Sequence, residues 1–172
     1  MIEIKEFTST DAEFKEIARV FNLVSHDYIV DYKDDKDEWH IRDRSLLNGR
    51  FLLYKNKTLI GYIVFEQGKK ENQRTVFFTI KIDPNHNERK YIDILYKQML
   101  KIIKTISCNK ILTEIYEHPN YSDFQKYLIN EQFVLVQKNR EYNCEIQKID
   151  LKPYQSLIKK LELEGIQFYE SK

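Results

Sequence analysis

The chain has 172 residues, 42% of them apolar, with 28 Lys and Arg against 27 Asp and Glu. That length suits one domain with a sizeable core, to which 12 Tyr and 10 Phe can contribute. A formal net charge of +1 argues against a dedicated nucleic-acid binder, and Cys108 and Cys144 stand at no metal-type spacing from each other or from the histidines.

The opening MIEIKEF predicts a short strand from Ile2, Ile4 and Phe7. It has no apolar core of signal-peptide length, and no later run nears the length that spans a bilayer. Two isolated thiols suit a reducing compartment, so a cytoplasmic protein with no membrane partner is expected. Thr10-Asp11-Ala12-Glu13 has the form of a capping box. Behind it Phe14, Ile17, Ala18, Phe21 and Val24 recur at helical spacing. The charge-dense run after Lys33 predicts a second helix around Glu38 to Leu46.

In RFLLYKNKTLIGYIVFEQ two apolar runs flank Lys55-Asn56-Lys57, which reads as an antiparallel hairpin. Gly68 to Asn72 is a turn cluster. Arg74 to Ile82 predicts a long strand that Asp83-Pro84 ends. A helix follows from about Lys90 to Ile106, with Ile92, Leu95, Met99, Ile102 and Ile106 on its apolar side. Lys110 to Tyr116 predicts another strand, and Pro119-Asn120 breaks it. Tyr121 to Asn130 predicts a short helix with Phe124, Tyr127 and Leu128 on one side. Phe133 to Val136 and Tyr142 to Ile146 predict the last strands of a main body spanning residues 1–148. An extension over residues 149–172 holds a helix from Pro153 to Leu163 and a strand from Ile166 to Tyr169. Paired strands come early and alternating α and β segments late. The expected fold is a mixed α/β (α+β) domain, with one mostly antiparallel sheet and helices on both faces.

The segment IKIDPNHNERKYIDILYKQML concentrates the chemistry. A helix N-terminus behind a strand offers free backbone N–H groups to an anion. Yet its turn holds no glycine, so the backbone cannot easily come close to a phosphate.

Taken as an ordered set, TSTDAEFKEIARVFNLV, FLLYKNKTLIGYIVFE, IKIDPNHNERKYIDILYKQML and KILTEIYEHPNYSDFQKYLINEQFVLV resemble the GNAT superfamily of acyl-CoA-dependent N-acetyltransferases. The resemblance covers about residues 1–146 and implies that family's fold, whose central sheet is splayed in the middle. It implies acetyl-CoA as co-substrate. The exposed edge of Thr79 to Ile82, with Ile80 and Ile82, would take the pantetheine arm. The family loop reads Val-x-Pro-x-x-Arg-x-x-Gly-x-Gly/Ala. Aligned on Pro84, Ile82 takes its first position, Asn87 replaces the arginine, and Lys90 and Ile92 replace the glycines. The pyrophosphate would then lie at Asn87, Glu88, Arg89, Lys90, Tyr91 and Ile92. Arg89 and Lys90 either compensate by charge or are solvated cations at the helix start.

Further site residues follow from the same resemblance. The family's thiolate-protonating tyrosine aligns with Leu128, leaving neighbouring Tyr127 as the candidate acid or else a core aromatic. Glu114 is the first candidate base, with Glu66 and His118 behind it, and a strand glutamate can equally be a solvent-face residue. Trp39 and His40 either line an acceptor pocket or cover the core. The tail REYNCEIQKIDLKPYQSLIKKLELEGIQFYES resembles the junction inside tandem GNAT proteins, where one copy often loses its catalytic loop. Two functions are therefore expected. One is acetyl transfer from acetyl-CoA to the amine of a small molecule or peptide. The other is an inactive GNAT-like domain serving as a partner or dimerisation module, with a homodimer formed through the C-terminal strand.

Overall fold

The structure is a computed structural model that describes residues 1–25, 29–69, 74–115 and 119–138, together with 156, 159, 160 and 163. Met1–Val134 make one compact unit and Leu135–Lys172 a second. The elements below all belong to the first unit.

Five strands form one sheet in the order β1-β2-β3-β4-β5. They are β1 (Ile2–Glu6), β2 (Asn48–Lys55), β3 (Thr58–Gln67), β4 (Thr75–Ile82) and β5 (Lys110–Thr113). β1 to β4 pair antiparallel in succession, and β5 joins β4 in parallel. Side chains alternate across a strand, so each sheet face needs its own cover. On one face Leu52, Leu59 and Tyr62 pack with Phe7, Phe14, Ile17, Val20 and Trp39. These belong to the layer of α1 (Asp11–Val24) and α2 (Tyr32–Ile41). On the other face Ile63, Phe65, Val76, Phe78 and Ile80 meet Ile92, Leu95, Tyr96 and Met99 of α3 (Arg89–Ile103), and Phe124 and Tyr127 of α4 (Ser122–Asn130). The mixed α/β architecture with helices on both faces is thus as expected.

Local chemistry explains the boundaries. The Glu13 N–H donates to Thr10 Oγ1 at 3.3 Å, and Glu13 Oε2 accepts from the Thr10 N–H at 3.1 Å, so the capping box closes in both directions. The β2–β3 turn is Asn56-Lys57, with φ of 51° and 70°. Both residues are left-handed, as a two-residue hairpin of this twist requires. Asn56 also binds the chain start, accepting from the Met1 ammonium at 2.7 Å and donating its N–H to Met1 O at 3.0 Å. At Gly61 a Cβ would lie 2.9 Å from the Lys81 carbonyl oxygen, so only glycine lets β3 approach β4 that closely.

Two predicted elements differ. The second helix runs over Tyr32–Ile41, not 38–46. Asp31 caps it by accepting the Lys33 N–H at 2.9 Å. Beyond Ile41, Asp43 takes the Ser45 N–H at 2.9 Å and its hydroxyl at 2.6 Å, a local turn that competes with helix. Arg50 then holds α2 to the sheet through a fork to Asp35, 2.8 Å on each arm, between the rings of Phe7 and Trp39. The second difference is the run Phe133 to Val136, which forms no strand. A strand needs a neighbour to take up its backbone groups, and no described segment does so. Phe133 instead packs against Phe78 and Tyr96. The predicted strand at 142–146 and the C-terminal strand lie outside the described residues, while residues 156, 159, 160 and 163 are helical.

Candidate active site

β4 has two different halves. From Val76 to Phe78 it is paired on both edges, with β5 alongside at Thr75↔Lys110 through Phe78↔Thr113. From Thr79 to Ile82 it keeps β3 on one edge, and no described strand lies on the other. β5 stops after four residues. Among the described residues the sheet therefore opens beside Thr79 to Ile82. A recess at this opening is lined by Ile80, Ile82, Asn87, Ile92, Tyr121 and Phe124, with Val24 and Asn120. Its empty space is about 250 Å³, including solvent at the mouth.

Among the described residues no ladder crosses the opening, but side chains do. Lys81 and Tyr121 form a close hydrogen bond between the ammonium and the phenol oxygen. Both residues are buried, and the Lys81 Nζ lies 4.8 Å from the Phe21 ring centre and 4.7 Å from that of Tyr121. Burial pushes the Lys81 ammonium down to about 8. The Asn120 amide donates to Val24 O at 3.5 Å, tying the loop before α4 to the end of α1. At the mouth the Asn87 amide donates to Asp123 Oδ2 at 3.1 Å.

The turn after β4 is tied down by hydrogen bonds. The Asp83 N–H donates to Ile60 O at 2.8 Å, and Asp83 Oδ1 accepts the Asn85 N–H at 2.9 Å over a 3-10 turn at Pro84–His86. Arg19 braces the same carboxylate at 3.6 Å. α3 then starts at Arg89, and its N-cap residue, Glu88, supplies no side-chain cap to the helix amides. Glu88 pairs instead with Lys90; that hydrogen bond holds the Glu88 carboxyl below its usual range and raises the Lys90 ammonium.

The structure separates the expected residues into groups. Ile80, Ile82, Asn87 and Ile92 line the recess together. Glu88, Arg89 and Lys90 stand at the start of α3, with the Arg89 guanidinium 5.7 Å from the Tyr127 ring centre. Tyr91 is buried and lies beneath both Lys90 and Lys55. Tyr127 is buried in the α3–α4 core, and its hydroxyl donates to Asp93 Oδ1 at 3.1 Å. Burial and the Asp93 carboxylate raise its pKa. Glu114 is exposed just beyond β5 rather than inside it. Glu66 pairs with Arg42 at 3.1 Å, and His118 lies outside the described residues. Trp39 is a core residue whose indole N–H donates to Ser9 Oγ at 3.0 Å.

Two cations in this region escaped the sequence reading. Lys81 breaks the apolar run VFFTIKI, and a cation at a strand position with buried neighbours is a signal that could have found it. Lys55, at the end of β2, comes within 5.7 Å of the Tyr91 ring centre and adds a third cation near the start of α3. Only the hairpin's register brings it there.

The sequence profile of the Acetyltransferase (GNAT) family matches residues 13–125, more than half of the chain. The protein belongs to that family. Solved structures agree on the fold. An N-acetyltransferase from Staphylococcus aureus Mu50 superposes with a TM-score of 0.65 at 13% identity, covering 80% of this chain and 86% of that one. The yncA protein of Salmonella typhimurium, solved with its cofactor acetyl-CoA, gives 0.63 at 16% identity and covers 79% and 81%. The ribosomal-protein-S18-alanine N-acetyltransferase of Escherichia coli gives 0.63 at 11%, with 86% of each chain covered. No curated protein sequence matches the chain. Among the described residues no helix is long and apolar enough to cross a membrane, and no cluster of His, Cys, Asp and Glu could hold a metal ion.

Proposed function

We propose that the protein is an N-acetyltransferase that moves an acetyl group from acetyl-CoA to an amine. The observation that carries this reading is the open edge of β4 from Thr79 to Ile82, beside the uncapped start of α3, in a chain of the GNAT family. Backbone N–H and C=O groups on such an edge can bond an extended amide chain whatever the side chains are. The pantetheine arm is such a chain. Its pyrophosphate would meet the α3 amides, with Arg89, Lys90 and Lys55 supplying positive charge in place of close backbone approach.

In this reading the acceptor nitrogen attacks the thioester carbonyl. A β4 backbone N–H bonds the oxygen on which negative charge develops. The S. typhimurium relative holds acetyl-CoA, which supports the choice of acyl carrier. The acceptor's amine would approach from the α1–α2 side, where Phe21 and Lys81 meet.

Thermal melting tests the reading. Acetyl-CoA at ~1 mM should raise the melting temperature by a few degrees, because a ligand that binds only the folded state stabilises it. Melting curves that stay superimposed with acetyl-CoA, CoA and longer acyl-CoAs would overturn it in favour of a domain that works through protein contacts.

A further inference from the structure

Lys81 has no role in the reaction as drawn above. It is nonetheless the one lysine buried among the described residues. On β4 it lies between Ile80 and Ile82, whose side chains line the recess, and its own points to the other sheet face, beside Phe21 of α1. Its Nζ bonds the hydroxyl of Tyr121, which also lines the recess. The rings of Phe21 and Tyr121 flank the nitrogen, and the residue is only 4% exposed. Other described lysines in helices behave differently. Lys90, Lys97 and Lys126 have side chains 60%, 67% and 74% exposed.

We propose that Lys81 is itself an acetyl acceptor: a self-acetylation site fed by acetyl-CoA lying in the β4 opening. This rests on the acetyl-CoA reading above. Burial in an aromatic cage favours the neutral amine, which is the nucleophilic form. The neutral Nζ adds to the thioester carbonyl carbon and forms an N–C bond. The C–S bond breaks, and sulfur leaves with the electron pair. The proton shed by nitrogen passes through the Tyr121 hydroxyl to the departing thiolate, so the products are an acetyl-amide on Lys81 and the free thiol of CoA. Acetylation removes the ammonium and its contact with Tyr121, and therefore changes what holds the opening closed.

Peptide mapping by mass spectrometry after incubation of the full chain with acetyl-CoA tests this, alongside the melting shift with CoA under the same conditions. Lys81 should acquire the acetyl group before the exposed Lys97 and Lys126, and excess CoA should suppress it. Tyr121→Phe keeps the ring, removes the proton path and should slow the modification on the order of a hundredfold. Acetyl groups confined to the exposed lysines, while CoA still raises the melting temperature, would overturn the proposal and leave the acetyl-CoA reading standing. Lys81 labelling that excess CoA does not suppress would overturn it too, as chemistry from bulk solution. Neither labelling at Lys81 nor a melting shift would overturn both.

Discussion

The two halves of β4 are built from similar residues and held by different forces. Val76–Phe78 is zipped between β3 and β5, and the side chains of Val76 and Phe78 meet a continuous apolar layer. Thr79–Ile82 has one ladder only, and polar side chains bridge the open side. Each backbone group in a ladder is satisfied without regard to side chain. A side-chain bridge can be exchanged for a ligand, and a ladder cannot be exchanged without undoing the sheet. The zipped half is therefore held by the sheet itself, and the open half by contacts that can be exchanged.

Phe78→Ala gives the largest expected effect and tests the zipped half. Phe78 is nearly fully buried and meets the rings of Tyr96, Phe124 and Phe133 at centroid distances of 5.6, 6.2 and 6.0 Å. Truncation should cost about 3–5 kcal/mol by denaturant unfolding, from lost transfer energy and the cavity left behind. A cost below about 1 kcal/mol would show that the α3–α4 layer collapses around the gap.

In the open half, Lys81→Met probes a buried charge. The folded ammonium titrates near 8 against an ordinary 10.5. Between those values the unfolded chain binds more protons than the folded one, so stability rises with pH there. Below about 8 the penalty is present in full. The stability difference between the natural protein and Lys81→Met should change by about 3 kcal/mol, in favour of the natural protein, as pH climbs from 8 to 10.5. A difference that stays flat over that interval would place the ammonium in a solvated setting.

How far the sequence foretold these halves differs in an instructive way. The zipped half was legible as an apolar run, Val76 to Phe78, in a strand that Asp83-Pro84 ends, and only the fold shows that Phe77 faces away from the core. The opening was legible only through resemblance, since nothing in TVFFTIKI marks where a second strand stops pairing. What fills it was not legible. Tyr121 reaches Lys81 across 40 positions of chain, and Asn87 reaches Asp123 across 36, distances over which pattern carries no information. Tyr127 illustrates the same limit from the other side. Its place on the apolar side of α4 was read correctly, but its hydroxyl points to Asp93 of α3, a partner that helix packing alone supplies.

A smaller effect separates a structural bridge from a gate. Asn87→Ala removes the tie to Asp123, which stays paired with Lys126 at 3.5 Å. The loss should be about 0.5–1.5 kcal/mol without ligand. If an acyl carrier enters between Asn87 and Asp123, it no longer has that bond to break. The melting shift produced by acetyl-CoA should then be larger in the variant than in the natural protein. A smaller shift would make Asn87 a ligand contact rather than a latch.

The smallest expected change lies at the roof of the zipped half and moves stability upward. Gln132 follows α4 with φ of 64°, a left-handed conformation that crowds any side chain at Cβ. It closes the helix in the manner usual for glycine. The Gln132 N–H donates to Ile129 O at 3.1 Å and the Phe133 N–H to Leu128 O at 3.0 Å. Gln132→Gly should relieve strain of about 1–2 kcal/mol and lose part of it to the looser unfolded chain, for a net gain of about 0.5–1 kcal/mol. Because that gain belongs to the zipped half, the acetyl-CoA melting shift should not change with it. A gain in stability accompanied by a changed ligand shift would mean that the two halves of β4 are coupled through Phe133, and that the boundary at Phe78 is not where binding and scaffold part.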